Sequence, residues 1–252
     1  MIYRVALLAA LPMEVRPFLR RVRARPRGDL GLPAWEFDAG EGRGVVALSG
    51  MGALAAWEAA RQLLERCRPA ILISLGFGGA LVPGLEPGAV VLGQSFWHFH
   101  PDREELQEIP APGPPRPLPE LRDRLLRAGL PVSLGSFVTT PYIIHKGRQG
   151  GAISHLDCPV LDLESAAAAA LADKGGVPFL GLRVITDAAG EEIPDFLAAW
   201  APVQGPGPGG RAALAWLAAD PRRLGQLLRL GRRGRAAARR LAEALGVLLP
   251  LI

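Results

Sequence analysis

The chain has 252 residues, 49% of them hydrophobic and 21% charged, which is too apolar and too weakly charged for a disordered segment and long enough for one large α/β domain. Its 31 glycines and 24 prolines follow no Gly-X-Y period, which excludes a collagen-like chain and predicts many tight turns. Only Lys146 and Lys174 among its 29 basic residues are lysines, so the formal charge of +5 reflects an arginine-biased composition rather than a nucleic-acid partner.

Tyr3 to Ala10 is a continuous apolar run, followed by Leu-Pro-Met-Glu and an amphipathic stretch to about Arg23; this predicts a buried strand, a turn and a helix. Trp35 to Phe37 and Val45 to Leu48 flank a Gly-rich stretch and predict a hairpin, after which Ser49-Gly50-Met51-Gly52 leads into a helix over roughly Ala53 to Cys67. Ala70 to Leu75 predicts a buried strand running into a glycine-rich loop, Gly76-Phe77-Gly78-Gly79, and Ala89 to Ser95 predicts the next strand. His100 to Leu118, crowded with proline and acidic residues, predicts an exposed excursion before a helix near Leu118 to Ala128. Strands are expected at Pro131 to Thr140, Pro159 to Leu163 and Pro178 to Thr186, with an alanine-rich helix over Glu164 to Lys174. Beyond the break at Gly205 to Gly210, helices are expected at about Arg211 to Ala219 and Leu224 to Leu245.

Cys67 and Cys158 sit in apolar sequence with no CxxC or Cys/His spacing, so neither a disulfide framework nor a zinc site is expected and a reducing cytoplasm fits. The first apolar run is ended by Pro12 and Glu14, too early for a signal-peptide core or a bilayer span. His98 and His100 have i, i+2 spacing but no further ligands nearby, so they are expected at a rim with no metal. Gly76-Phe77-Gly78-Gly79 is not a dinucleotide fingerprint, which disfavours a Rossmann oxidoreductase.

Three acidic residues stand where buried strands end: Glu14, Glu164 and Asp187. Ligands of open α/β sheets gather outside the carboxyl ends of strands, so the three can converge on one pocket despite their separation in sequence. Taken singly, each also suits a helix N-cap or an exposed charge.

Five segments in order carry a resemblance: Ala9-Ala10-Leu11-Pro12-Met13-Glu14-Val15, Leu48-Ser49-Gly50-Met51-Gly52, Ser74-Leu75-Gly76-Phe77-Gly78-Gly79-Ala80-Leu81, Leu161-Asp162-Leu163-Glu164-Ser165-Ala166 and Arg183-Val184-Ile185-Thr186-Asp187. Together, over roughly residues 2 to 200, they resemble the nucleoside phosphorylase/nucleosidase superfamily, most of all the 5′-methylthioadenosine/S-adenosylhomocysteine nucleosidases. The resemblance implies a single domain over residues 1–252 of class α/β, a three-layer α/β/α fold with a central mixed twisted sheet, with an Arg-rich helical C-terminal extension from about residue 211 that runs past the usual family end. It implies hydrolysis of the N-glycosidic bond of a purine (adenine) nucleoside such as 5′-methylthioadenosine or S-adenosylhomocysteine, releasing adenine, with no cofactor and as a homodimer. Nucleic acid is not expected as a partner, nor is membrane-surface contact through the basic tail.

The resemblance also assigns roles, each of which has a chemical reason. Glycosidic cleavage builds positive charge on the ribose and negative charge on the departing base. Asp187 would supply or relay a proton to purine N7, and Glu14 would orient and deprotonate the attacking water. Glu164 would accept hydrogen bonds from the ribose hydroxyls. Tyr142 would stack on adenine, Ile143 would offer backbone contacts, Met51 and Leu163 would pack on the ribose, and Gly76 and Phe77 would border the nucleophile. Phe77 stands where these nucleosidases usually have serine, which brings a bulky ring near the nucleophile or the ribose.

Two further readings stay open. A phosphorylase is disfavoured because the first loop carries Glu14 and no arginine, and Ser74 stands where the phosphate-binding arginine of such enzymes would be. With Lys146 and the basic tail, the glycine-rich segment also resembles the hopanoid-associated phosphorylases, which remove adenine from an adenosyl lipid. From a different class, the chain could be a non-catalytic nucleoside- or nucleic-acid-binding module.

Overall fold

The computed structural model describes residues 3–40, 42–193 and 221–252. In chain order the first half runs β1 (Val5–Ala9), α1 (Pro12–Arg21), β2 (Arg25–Arg27), β3 (Ala34–Asp38), β4 (Arg43–Leu48), α2 (Ala53–Cys67), β5 (Leu72–Ala80) and β6 (Val90–His100). The second runs β7 (Glu105–Ile109), α3 (Leu118–Arg127), β8 (Val132–Thr139), α4 (Lys146–Gln149), β9 (Val160–Asp162), α5 (Ser165–Gly175), β10 (Phe179–Asp187) and α6 (Pro221–Leu248).

Every residue of β1 is buried, and alternate side chains enter different cores: Val5, Leu7 and Ala9 join one cluster, Ala6 and Leu8 the other. A strand buried on both faces needs helices on both. Val15 and Phe18 of α1, Leu121 and Leu125 of α3, and Ala237, Leu241 and Leu245 of α6 close the first core. Ala56, Ala60 and Leu63 of α2 and Ala168, Ala169 and Ala172 of α5 close the second. The result is the expected α/β architecture, a mixed sheet between flanking helices.

The sheet runs β10-β6-β8-β9-β5-β1-β4-β3-β2 and then folds back on itself, because β10 also pairs with β5. Parallel pairs join β1 to β4 and β5, β5 to β10, β6 to β8 and β8 to β9, whereas β10–β6, β5–β9 and the β3–β4 hairpin are antiparallel. Strands β5, β10, β6, β8 and β9 thus form a closed ring, with β1 to β4 as an open wing. Closure sets the ends of β5, β9 and β10 side by side, with Asp187 aligned on Gly79 and Leu161 aligned on the same glycine from the other side.

Several elements differ from the expectation. Gly76 to Gly79 is not a loop but the second half of β5, paired residue by residue with β10. None of these glycines has a positive φ; they are small because other side chains cross the strand there, not because the chain turns. The excursion after His100 contains a strand, β7, which pairs with an extended β6 from Phe96 to His100. The rings of His98 and His100 meet edge to face at 4.2 Å on that ribbon, outside the cavity described below. The edge strand β2, Arg-Pro-Arg, carries no apolar alternation to announce it, and an edge position tolerates its proline.

The basic C-terminal helix is no solvated appendage: Ala237, Ala238, Leu241, Ala244, Leu245 and Leu248 are all buried. The helix expected at 211–219 lies outside the described residues. Among the described residues no helix is long and apolar enough to cross a membrane.

Candidate active site

Where β1 ends, Pro12 opens α1 without a backbone N–H to satisfy, and Glu14 falls on the third helical position. Its carboxylate turns back over the helix start and accepts the backbone N–H groups of Ala10 at 3.0 Å and Leu11 at 2.8 Å through Oε2. Oε1 accepts the Phe77 N–H of β5 at 3.1 Å. A carboxylate has about four acceptor positions, so one remains free on a group that is only 4% exposed. Burial pushes the Glu14 carboxyl up, opposed by the Leu11 N–H and the Arg183 charge.

The glycines of β5 make this approach possible. A Cβ on Gly76 would sit 2.8 Å from Glu14 Oε1, one on Gly78 would sit 2.5 Å from Val160 Cγ1, and one on Gly79 would sit 2.6 Å from Asp187 Oδ2. Two carboxylates therefore lie against one strand at places where any other residue would collide with them.

Helix α5 shows how Glu164 is left available. It is the N-cap residue, yet Asp162 does the capping: its Oδ1 accepts the N–H groups of Glu164 and Ser165, each at 3.1 Å, and the Thr139 hydroxyl at 2.6 Å. Glu164 instead reaches across to the start of α2, where Oε1 accepts the Gly52 N–H at 2.9 Å. Burial, with the Asp162 charge second, pushes the Glu164 carboxyl up to about 7 from an ordinary 4.5. The folded chain thus binds this proton more tightly than the unfolded chain, so the group's contribution to stability falls as pH rises from about 4.5 to about 7. The Glu164→Gln variant is expected to show a shallower fall in melting temperature across that window than the parent; parallel curves would contradict the assignment.

At the end of β10, Asp187 is 5% exposed. Its Oδ1 accepts the Thr186 hydroxyl at 2.8 Å, and its Oδ2 accepts the Lys146 ammonium at 2.5 Å. Beneath these groups lies Arg183, 1% exposed, ion-paired with Asp162 Oδ2 at 3.0 Å and donating to the hydroxyls of Ser74 at 3.1 Å and Ser165 at 2.8 Å. Ser74, at the position of the phosphorylases' phosphate-binding arginine, is buried with its hydroxyl engaged by Arg183 and does not line the cavity.

These elements surround an open cavity lined mostly by apolar side chains with a few convergent polar groups, the usual makeup of a small-molecule site. Glu14, Glu164 and Asp187 all line it, together with Met51, Phe77, Ile143 and Leu163. Two expected residues do not. Gly76 lies beneath the Glu14 carboxylate, and Tyr142 leaves the cavity to donate its hydroxyl to Asp102 at 2.7 Å while its ring packs in a separate cluster with Phe99 and Val138. The turn after β8, held by the Thr140 hydroxyl on the Tyr142 carbonyl at 2.8 Å, presents Ile143 and Ile144 to the cavity instead.

Sequence reasoning gave Lys146 no place in the site, although it is one of two lysines in an arginine-biased chain. Arg183 also carried a signal, as the one charge inside the buried run Leu180 to Ile185. Helix α6 reaches the site's edge as well: Gly234 packs against Met13, and Arg233 forms two hydrogen bonds, at 2.6 and 3.0 Å, with Glu191 in the loop after Asp187.

Residues 4–203 match the phosphorylase superfamily. The chain is 27% identical over 208 residues to a 5′-methylthioadenosine/S-adenosylhomocysteine nucleosidase of Geobacillus thermodenitrificans, covering 75% of this chain and 86% of the relative. It is 27% identical to one of Tolumonas auensis, covering 76% and 89%. In fold it is similar to the Helicobacter pylori nucleosidase of that name, with TM-score 0.73, 16% identity and coverage of 100% and 99%. It is equally similar to the futalosine hydrolase of the same organism, with TM-score 0.73, 17% identity and coverage of 100% and 99%. A Neisseria meningitidis nucleosidase solved with methylthio-immucillin-A gives TM-score 0.70 at 20% identity, with coverage of 98% and 99%.

Proposed function

This chain belongs to the phosphorylase superfamily, and from that premise we propose that it hydrolyses the N-glycosidic bond of an adenine nucleoside, releasing adenine, with 5′-methylthioadenosine and S-adenosylhomocysteine as first substrates. The observation that carries this reading is the meeting of Glu14, Glu164 and Asp187, from three distant segments, on one cavity.

In this reading Glu164 receives the ribose hydroxyls, with Met51 and Leu163 as the apolar wall of the sugar site, and Asp187 faces the base. As the bond between C1′ and N9 breaks, its electron pair leaves with the purine, and N7 takes a proton by way of Asp187. Water bonds to C1′ and gives its proton to the free lone pair of Glu14. Removing that acceptor with Glu14→Gln is expected to lower kcat about 10²-fold with KM little changed, measured by adenine release; an unchanged kcat would remove Glu14 from the mechanism.

Water is favoured over phosphate as the acceptor. Among the described residues no arginine lines the cavity, its lining cation Lys146 is engaged by Asp187, and a phosphate dianion beside Phe77 would meet the Glu14 carboxylate. The test is free-base release from methylthioadenosine, adenosylhomocysteine, inosine and futalosine, each with and without phosphate. Adenine release that ignores phosphate is the expected result. Release only with phosphate would make the chain a phosphorylase, and none from any nucleoside would favour a binding module.

The reading includes a cytoplasmic protein, which the two free cysteines fit. It also includes a single domain and a homodimer. Exposed Leu54 and Trp57, within two turns of Met51 on α2, give a second copy an apolar face to cover. Sedimentation of the purified chain as a monomer at micromolar concentration would remove the dimer from it.

A further inference from the structure

The Asp187 carboxylate accepts hydrogen bonds at both of its oxygens, from Thr186 and from Lys146. So placed, it faces a donor at each oxygen, the arrangement of a group that relays a proton from one side to the other. Proton delivery to the base therefore needs a source behind Asp187, and the geometry points to Lys146: we propose that the Lys146 ammonium is the proton reservoir of the leaving-group site, acting through Asp187. This rests on the nucleosidase reading above and refines its proton path.

Lys146 is 7% exposed. Its Nζ donates to Asp187 Oδ2 at 2.5 Å, to the Ala188 carbonyl at 2.8 Å and, more distantly, to the Asp187 carbonyl at 3.4 Å. Three donors on three acceptors hold the ammonium in one orientation, with its shortest contact on the carboxylate. The surroundings are built for this contact: Gly79 leaves the space, since a Cβ there would lie 2.6 Å from Oδ2 and 3.3 Å from Nζ.

Both ends of the pair are fixed by neighbouring glutamates. Glu192 accepts the N–H groups of Lys146 at 3.1 Å and Gly147 at 2.8 Å, which ties α4 to the loop after β10. Glu191 accepts the Ala188 N–H at 3.1 Å and pairs with Arg233 of α6. A departing purine anion is a base of about amine strength, so an ammonium can protonate it. The proton moves from Nζ to Asp187 and on from Asp187 to N7, leaving a neutral amine and the carboxylate as it began. The proton lost by water ends on Glu14, and exchange with solvent returns both groups to their starting states.

The leaving group separates proton supply from mere support. 4-Nitrophenyl β-D-ribofuranoside expels a phenolate that needs no proton, whereas the adenine nucleoside does. Lys146→Met is expected to lower kcat for adenine release about 10²- to 10³-fold, to change KM little, and to lower nitrophenolate release less than about tenfold. Combined with Asp187→Asn it should cost no more than Asp187→Asn alone, as for residues acting in series. If Lys146→Met does not fold, Lys146→Arg carries the test, because it keeps the charge and does not give up a proton. It should keep nitrophenolate release and still fail at adenine release. Equal losses with both leaving groups, or adenine release restored by arginine, would overturn the proposal. A parent enzyme that frees no adenine from any nucleoside would instead overturn the nucleosidase reading.

Discussion

Asp187→Asn is expected to fold as the parent does and to release adenine about 10³-fold more slowly, the size of effect that removal of a general acid produces. The amide has the same shape, its oxygen can still accept the Lys146 donor and its NH2 can donate to the Thr186 hydroxyl, so the ends of β10 and α4 should keep their places. What it cannot do is carry a proton between Lys146 and the base. KM should stay within a few-fold of the parent, because the ribose contacts assigned to Glu164 and Met51 lie elsewhere on the cavity. The measurement is initial-rate adenine release beside a thermal melt. A full-speed Asp187→Asn enzyme with an unchanged melt would leave the proposed mechanism without its proton path.

Arg183→Met is expected to have the largest effect on stability. Arg183 is buried on every side, between Asp162, Ser74 and Ser165, with its guanidinium carbon 5.7 Å from the centre of the Phe137 ring. Removing one partner of a buried ion pair leaves the other charge uncompensated and costs about 3–5 kcal/mol, which for a chain of this size lowers the melting temperature by about 10 °C. Asp162 is the stranded group, and Asp162→Asn in the same chain should recover part of the loss, since an amide oxygen can still cap α5. The same change should weaken activity, because the Arg183 charge opposes the burial that pushes Glu14 and Glu164 up. A loss below about 1 kcal/mol on urea unfolding would show that the pair contributes no more than an exposed one.

The fold was largely legible. Apolar runs with a turn and a carboxylate at their ends mark β1, β9 and β10, and helices α2, α3 and α5 fall within a residue or two of where their periodicity and flanking glycines put them. These are local signals, since they depend on which side chains neighbour one another along the chain. Gly76 to Gly79 departs from its local pattern for the same reason. Adjacent glycines signal a turn locally, whereas here they admit Glu14, Val160 and Asp187 from three other segments. Tyr142 stands one residue from Ile143, but a turn fixed by Thr140 sends it to Asp102 and leaves Ile143 on the cavity.

Local patterns along the chain carry the α/β alternation, the order of the elements, and the three acidic residues at strand ends that suit glycosidic chemistry. Long-range packing closes the sheet through β10 and β5, sets Asp162 to cap α5 so that Glu164 faces the cavity, and places Lys146 behind Asp187. The difference is one of range. Strand and helix patterns arise from neighbours a few residues apart, whereas the Lys146–Asp187 contact spans 41 residues and the Arg183–Ser74 contact 109. Packing has to bring such groups together before their charges and hydrogen bonds can act on one another.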